Sequence, residues 1–143
     1  MNLLRRIMSN IEQTLSIIKP DAVERNLQDK IKNEFIDKNF EIINEKKIHI
    51  SKEEAEKFYK VHETKPFYND LCTYLSSGPI CVMILQKENA VLENRKLMGA
   101  TNPNDAEEGT LRKKYGISID KNSVHGSDSI ENAKIEIDFF FKN

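Results

Sequence analysis

Pro79 to Leu85, PICVMIL, is the stretch that most limits what this chain can fold into. It is continuously apolar, so no polar face is left to turn towards water, and it is short for a helix. A run of this length and character fits a strand covered on both faces, which predicts that it lies in the middle of a sheet rather than at its edge.

The rest of the chain supplies partners for that strand. Thr14 to Ile18, TLSII, reads as a first strand, followed by a turn, KPDAVERN, and a helix over 28–39 whose Ile31, Phe35 and Ile36 form an apolar stripe. Phe40 to Ile50 reads as a second strand. Ser51 and Glu54 form a Ser-x-x-Glu capping box that opens a helix through about Lys60, and a second short helix is expected after Pro66. Asn89 to Met98 reads as helical. Gly99 to Asp120 is polar with one short helical piece, long for a structureless loop and therefore expected to be functional. After a short strand at Val124 and His125, Asp128 and Glu131 predict a capped helix with Ile130, Ala133, Ile137 and Phe140 facing the core. The order contains a split β-α-β plan with added helices, an α+β arrangement. With 143 residues, few Gly and Pro and no repeat, the chain is expected to form one domain.

Charge and cysteine content narrow the function. A net charge of -1, from 22 basic and 23 acidic residues, gives no broad field for nucleic acid or a membrane surface. Cys72 and Cys81 match no metal-ligand spacing and read as buried, reduced thiols of an intracellular protein. The start, MNLLRRIMSN, has too short an apolar run for a signal peptide, and no segment reaches membrane-spanning length, so the cytoplasm is the expected location. Met8 is a possible alternative start, which makes Met1 to Ile7 an extension expected to be poorly ordered.

Asn122 to Asp128, NSVHGSD, sets a histidine beside a glycine, a pairing that suggests room for something to approach the ring. A hydrolase reading of His125, Ser127 and Asp128 is weak, because no G-x-S-x-G elbow exists and helix capping explains Asp128 more simply. His49, His62 and His125 are too scattered for a metal site. Glycines at 78, 99, 109, 116 and 126 permit neither of the two common glycine-rich nucleotide loops. Arg95, Thr101, Arg112 and Lys113 are nevertheless phosphate-binding residue types, since a guanidinium fork and a short hydroxyl both match phosphate oxygens. Any one of them alone is more simply a solvated surface residue.

Six motifs in order change that balance: IKPDAV at 18–23, YKVHETKPFYNDL at 59–71, SGP at 77–79, GATNP at 99–103, GTLR at 109–112 and NSVHGSDS at 122–129. With them the chain resembles the nucleoside diphosphate kinases from about Gln13 to Phe141, which marks residues 1–12 as a short extension and 13–143 as the family domain. The resemblance implies a ferredoxin-like fold, an antiparallel sheet covered by helices. It implies that His125 takes a phosphate from a nucleoside triphosphate and passes it to a nucleoside diphosphate in a ping-pong cycle with broad base specificity. It further implies that Glu136 orients the imidazole, supported by Ser127. Lys19 and Asn122 would contact the ribose hydroxyls and the terminal phosphate region, Tyr59, Arg95, Thr101 and Arg112 would hold phosphates, and Phe67 and Ile119 would sandwich the base. Mg²⁺ would be carried mainly by the nucleotide's own oxygens, with no protein ligands demanded. A homo-oligomer built from dimers, tetramer or hexamer, is implied, with no membrane and no specific nucleic-acid partner.

Two departures from the family pattern lie beside the expected cleft: Lys113-Lys114 after the loop arginine, and Thr64-Lys65 before Pro66. Two other classes of function compete. A non-catalytic nucleotide-binding regulatory module would not need an intact His125 with its donor set, and a protein-histidine phosphocarrier would not need a base clamp such as Phe67.

Overall fold

The computed structural model describes residues 11–142, so Met1 to Ile7 and most of the expected extension lie outside the described residues. Strand β1 (Ile11–Ile18) is followed by helices α1 (Pro20–Glu24) and α2 (Gln28–Asp37), and by strand β2 (Glu41–Ile48). Helices α3 (Lys52–Phe58) and α4 (Tyr68–Leu75) lead to strand β3 (Ile80–Glu88). Helices α5 (Ala90–Met98) and α6 (Leu111–Tyr115), strand β4 (Val124–Gly126) and helix α7 (Ile130–Phe141) complete the described chain.

The four strands form one sheet in the order β2-β3-β1-β4. β3 is interior, as its sequence predicts, and pairs antiparallel with β1 on one side and β2 on the other. All of Ile80 to Leu85 is buried. Alternation splits these side chains between two layers. Cys81, Met83 and Leu85 join Ile31 and Phe35 of α2 with Leu97 and Met98 of α5, whereas Ile80 and Val82 join Ala55 of α3, Leu75 of α4 and Phe140 of α7. β1 divides likewise, with Ile18 in the first layer and Leu15 and Ile17 in the second. The result is the ferredoxin-like α+β fold.

Local chemistry sets most boundaries. Ser51 Oγ accepts from the Glu54 N–H at 3.1 Å and Glu54 Oε1 accepts from the Ser51 N–H at 3.1 Å, which completes the expected capping box. KPDAVERN, expected as a turn, contains α1: Pro20 presets the first helical φ, and Pro20 to Val23 are all buried, so no amphipathic stripe reveals the helix. The last helix is capped by Ser129, whose hydroxyl accepts from the Asn132 N–H, and not by Asp128. Ile130, expected in the core, is exposed, while Ala133, Phe140 and, in part, Ile137 face inward. Cys72 and Cys81 are buried free thiols, and His49 Nε2 donates to the Ser76 carbonyl at 2.8 Å. No helix among the described residues is long and apolar enough to cross a membrane.

Phe35 is fully buried and meets Phe40 edge-on, with ring centroids 5.6 Å apart. Phe35→Ala is expected to lower unfolding free energy by about 3–5 kcal/mol, read from urea denaturation. A loss under about 1 kcal/mol would show that the layer collapses around the missing ring.

Candidate active site

His125 sits in the middle of β4, opposite Ile17 of β1. Its Nε2 donates to Glu136 Oε1 of α7 at 2.8 Å; a carboxylate only accepts, so Nε2 carries a proton, and in the neutral ring Nδ1 holds the free lone pair. Ser127 Oγ donates to the same carboxylate oxygen at 3.0 Å and accepts from the Leu15 N–H at 3.2 Å. The imidazole is thus oriented through α7 and anchored to the backbone of β1. Phe58 meets the His125 ring edge-on at 5.4 Å and is itself packed by Phe139 and Phe140. Gly126 does not leave room for a ligand: a side chain there would overlap Asn94 and Met98, so the glycine lets α5 pack against β4.

A cationic region adjoins the histidine. Lys19, the residue before α1, is buried, and its Nζ donates to Asn122 Oδ1 at 2.9 Å. Asn122 Nδ2 donates in turn to the Thr101 carbonyl at 3.1 Å. Arg112 of α6 donates from its two terminal nitrogens to the Gly99 and Val124 carbonyls, at 2.9 and 3.0 Å, and its Nε has no partner among the described residues. Arg95, Thr101 and Arg112 line one open cavity of about 300 Å³, together with Lys96. Burial, with Arg112 nearby, pushes Lys19 down to about 8, and burial beside Arg95 pushes Arg112 down to about 10. Buried cations held so far below their ordinary values favour an anionic occupant.

Tyr59, Phe67 and Ile119 do not line that cavity. Tyr59 is buried 6.4 Å from the His125 ring, and burial raises its hydroxyl well above the usual tyrosine value, which keeps it a donor. Phe67 and Ile119 are both half-exposed, on the turn before α4 and on the loop before β4. His62, set aside as scattered, bridges these groups: its ring lies 6.1 Å from Tyr59 and 6.0 Å from Phe67, so a row of rings runs from Phe67 to His125. The i, i+3 spacing of Tyr59 and His62 is a signal that could have found it, whereas nothing in the sequence marks Phe58 or Asn94 as neighbours of β4. Both departures have physical counterparts. Lys114 Nζ and Tyr115 Oη bind the two oxygens of Glu34 on α2, each at 2.6 Å, and Lys65 Nζ lies 5.6 Å from the Phe67 ring centre.

A histidine held by a carboxylate, one residue after the carbonyl that holds Arg112, on a ferredoxin-like sheet is chemistry that suits a phosphotransferase. Comparison with known proteins agrees: the family profile described as nucleoside diphosphate kinase matches residues 12–143. The nucleoside diphosphate kinase of Geotalea uraniireducens is 55% identical over 131 residues, covering 92% of this chain and 96% of that protein. That of Campylobacter jejuni strain RM1221 is 56% identical over 132 residues, with coverage of 92% and 96%. Among solved structures, the Aquifex aeolicus nucleoside diphosphate kinase superposes with a TM-score of 0.91 at 37% identity, covering 93% of this chain and 96% of that one. The chain belongs to the nucleoside diphosphate kinase family.

The lowered value of Lys19 has a signed consequence. Between about 8 and the ordinary 10.5 the unfolded chain holds this proton and the folded one does not, so Lys19 adds to stability as pH rises through that window. Any stability advantage of Lys19→Met over the native chain at pH 7 is therefore expected to shrink between pH 8 and 10.5, measured by paired melting curves. A constant difference would place the lysine in a solvated setting.

Proposed function

We propose that this enzyme moves the terminal phosphate of a nucleoside triphosphate to a nucleoside diphosphate through a phosphohistidine on His125. The observation that carries the proposal is the bond from Nε2 to Glu136, which leaves Nδ1 as the nucleophile. In the first half-reaction Nδ1 attacks the terminal phosphorus, an N–P bond forms, and the bond to the bridging oxygen breaks, with its electrons leaving on the diphosphate. In the second, an oxygen of the acceptor's terminal phosphate attacks the phosphohistidine and returns the electron pair to Nδ1. The Nε2 proton stays against Glu136 throughout, and Ser127 keeps that carboxylate in place.

Little proton transfer is needed, so positioning and charge stabilisation carry the rate. Arg95, Arg112, Thr101 and Tyr59 hold phosphates, while Lys19 and Asn122 reach the ribose hydroxyls and the terminal phosphate region. Phe67 and Ile119 present apolar faces to the base, which gives affinity without reading its hydrogen-bonding edge and makes base selectivity weak. Mg²⁺ would enter with the nucleotide, carried mainly by phosphate oxygens and water, and would neutralise phosphate charge. Family membership supports a cytoplasmic oligomer assembled from dimers.

Incubation with Mg-ATP is expected to give an acid-labile, alkali-stable phosphoprotein that any common nucleoside diphosphate discharges, with parallel-line kinetics. His125→Ala abolishes both steps; label persisting in that variant would refute the assignment, and label that no diphosphate discharges would favour a phosphocarrier. Glu136→Gln is expected to slow single-turnover phosphorylation by roughly 10–100-fold while nucleotide affinity stays near native. An unchanged rate would make Glu136 an ordinary helix surface residue.

A further inference from the structure

Ser123 stands between Asn122 and Val124 with φ +74°, in the left-handed region. The other three non-glycine residues with positive φ among the described residues are asparagines, which tolerate that region. Serine has no such allowance, and Ser123 is fully buried, so its conformation is imposed by what surrounds it. Two ties impose it. The Ser123 carbonyl accepts from the Lys19 N–H at 2.8 Å, and its hydroxyl donates to Asp21 Oδ2 at 2.7 Å.

Asp21 is itself over-determined. Its carboxyl side chain is only 4% exposed. Arg25 donates to Asp21 Oδ2 at 3.1 Å and to the Tyr115 carbonyl at 2.6 Å, while the Tyr74 hydroxyl donates to Asp21 Oδ1 and accepts from the Asp21 N–H at 2.9 Å. This one carboxylate on α1 therefore fastens α4 and, through Arg25, the end of α6 to a single serine. The neighbours of that serine are all in the site: Asn122 receives Lys19 Nζ, the Val124 carbonyl receives Arg112, and His125 follows.

We propose that Asp21 is a positioning residue for phosphoryl transfer: its carboxylate clamps Ser123 in the left-handed conformation and thereby fixes Asn122, the Val124 carbonyl and His125 relative to Lys19 and Arg112. Asp21 hydrogen-bonds Ser123, Arg25 and Tyr74 rather than His125, Asn122 or Arg112, and its charge also raises the value of Lys19. The proposal rests on the reading of His125 as the phosphoryl acceptor.

The test uses glycine, which adopts φ +74° without a tie. Single-turnover phosphorylation at saturating Mg-ATP, nucleotide affinity and melting temperature are measured for Ser123→Ala, Ser123→Gly, Asp21→Asn and the double variant Asp21→Asn/Ser123→Gly. Ser123→Ala is expected to slow phosphorylation by about 10–100-fold, the scale of a small misplacement of reacting groups, and Ser123→Gly to lose far less. The double variant is expected to phosphorylate faster than Asp21→Asn while melting no higher. Should Asp21→Asn fail to fold, the alanine and glycine variants at 123 decide alone. Equal rates for those two, or a double variant no faster than Asp21→Asn, would overturn the clamp. A native protein that takes no label on His125 would overturn the phosphohistidine reading instead, and the clamp with it.

Discussion

Burial of β3 on both faces is the constraint from which the rest of the architecture follows. Six consecutive apolar side chains, Ile80 to Leu85, need strands on both edges and helices above and below, and each layer closes on alternate residues of this strand. β1 completes the pair, and its far edge is where β4 docks. A three-residue strand would be too short to hold position alone. It is fixed because β1 is fixed, and because Gly126 lets α5 approach. The histidine thus stands on the least extensive strand but borrows its rigidity from the most deeply buried ones.

The site concentrates positive charge where water is scarce. Lys19 is buried, Arg112 is partly so, and among the described residues neither forms a salt bridge; their hydrogen-bond partners are Asn122 and backbone carbonyls, although the charges of Asp21 and Asp120 reach Lys19. Neutral acceptors orient a cation without cancelling it, so the charge remains available to an incoming phosphate. The acidic groups nearby serve other tasks. Glu136 faces the imidazole, and Glu34 takes Lys114 and Tyr115, which ties α6, and with it Arg112, to α2.

Much of this was legible in the sequence, and unevenly. The central strand could be read from its lack of alternation, and the start of α3 from the Ser51 and Glu54 spacing, because both signals are local. The three residues around the imidazole, His125, Ser127 and Glu136, came from resemblance to a family rather than from periodicity, and the structure brings them within hydrogen-bonding distance. What escaped was tertiary. α1 is buried on every side and shows no stripe, the Ser129 cap competes with an equally plausible Asp128 one residue earlier, and Gly126 was assigned to a ligand when the space belongs to Asn94 and Met98. His62 lies inside YKVHETKPFYNDL but was set aside as a scattered histidine, and its place shows only from the rings on either side of it.

On the proposed reading, in which Lys19 meets the nucleotide's phosphates, its burial couples binding to the proton concentration around it. With a value near 8, the amine is partly neutral in mildly alkaline solution. An anion arriving beside it raises that value and draws a proton from solvent, so association under those conditions includes proton uptake, and the apparent heat of binding depends on the ionisation enthalpy of the buffer. Below about pH 7 the same event takes up almost no proton at this residue. One lysine, placed before a five-residue helix, makes the stoichiometry of ligand binding a function of pH.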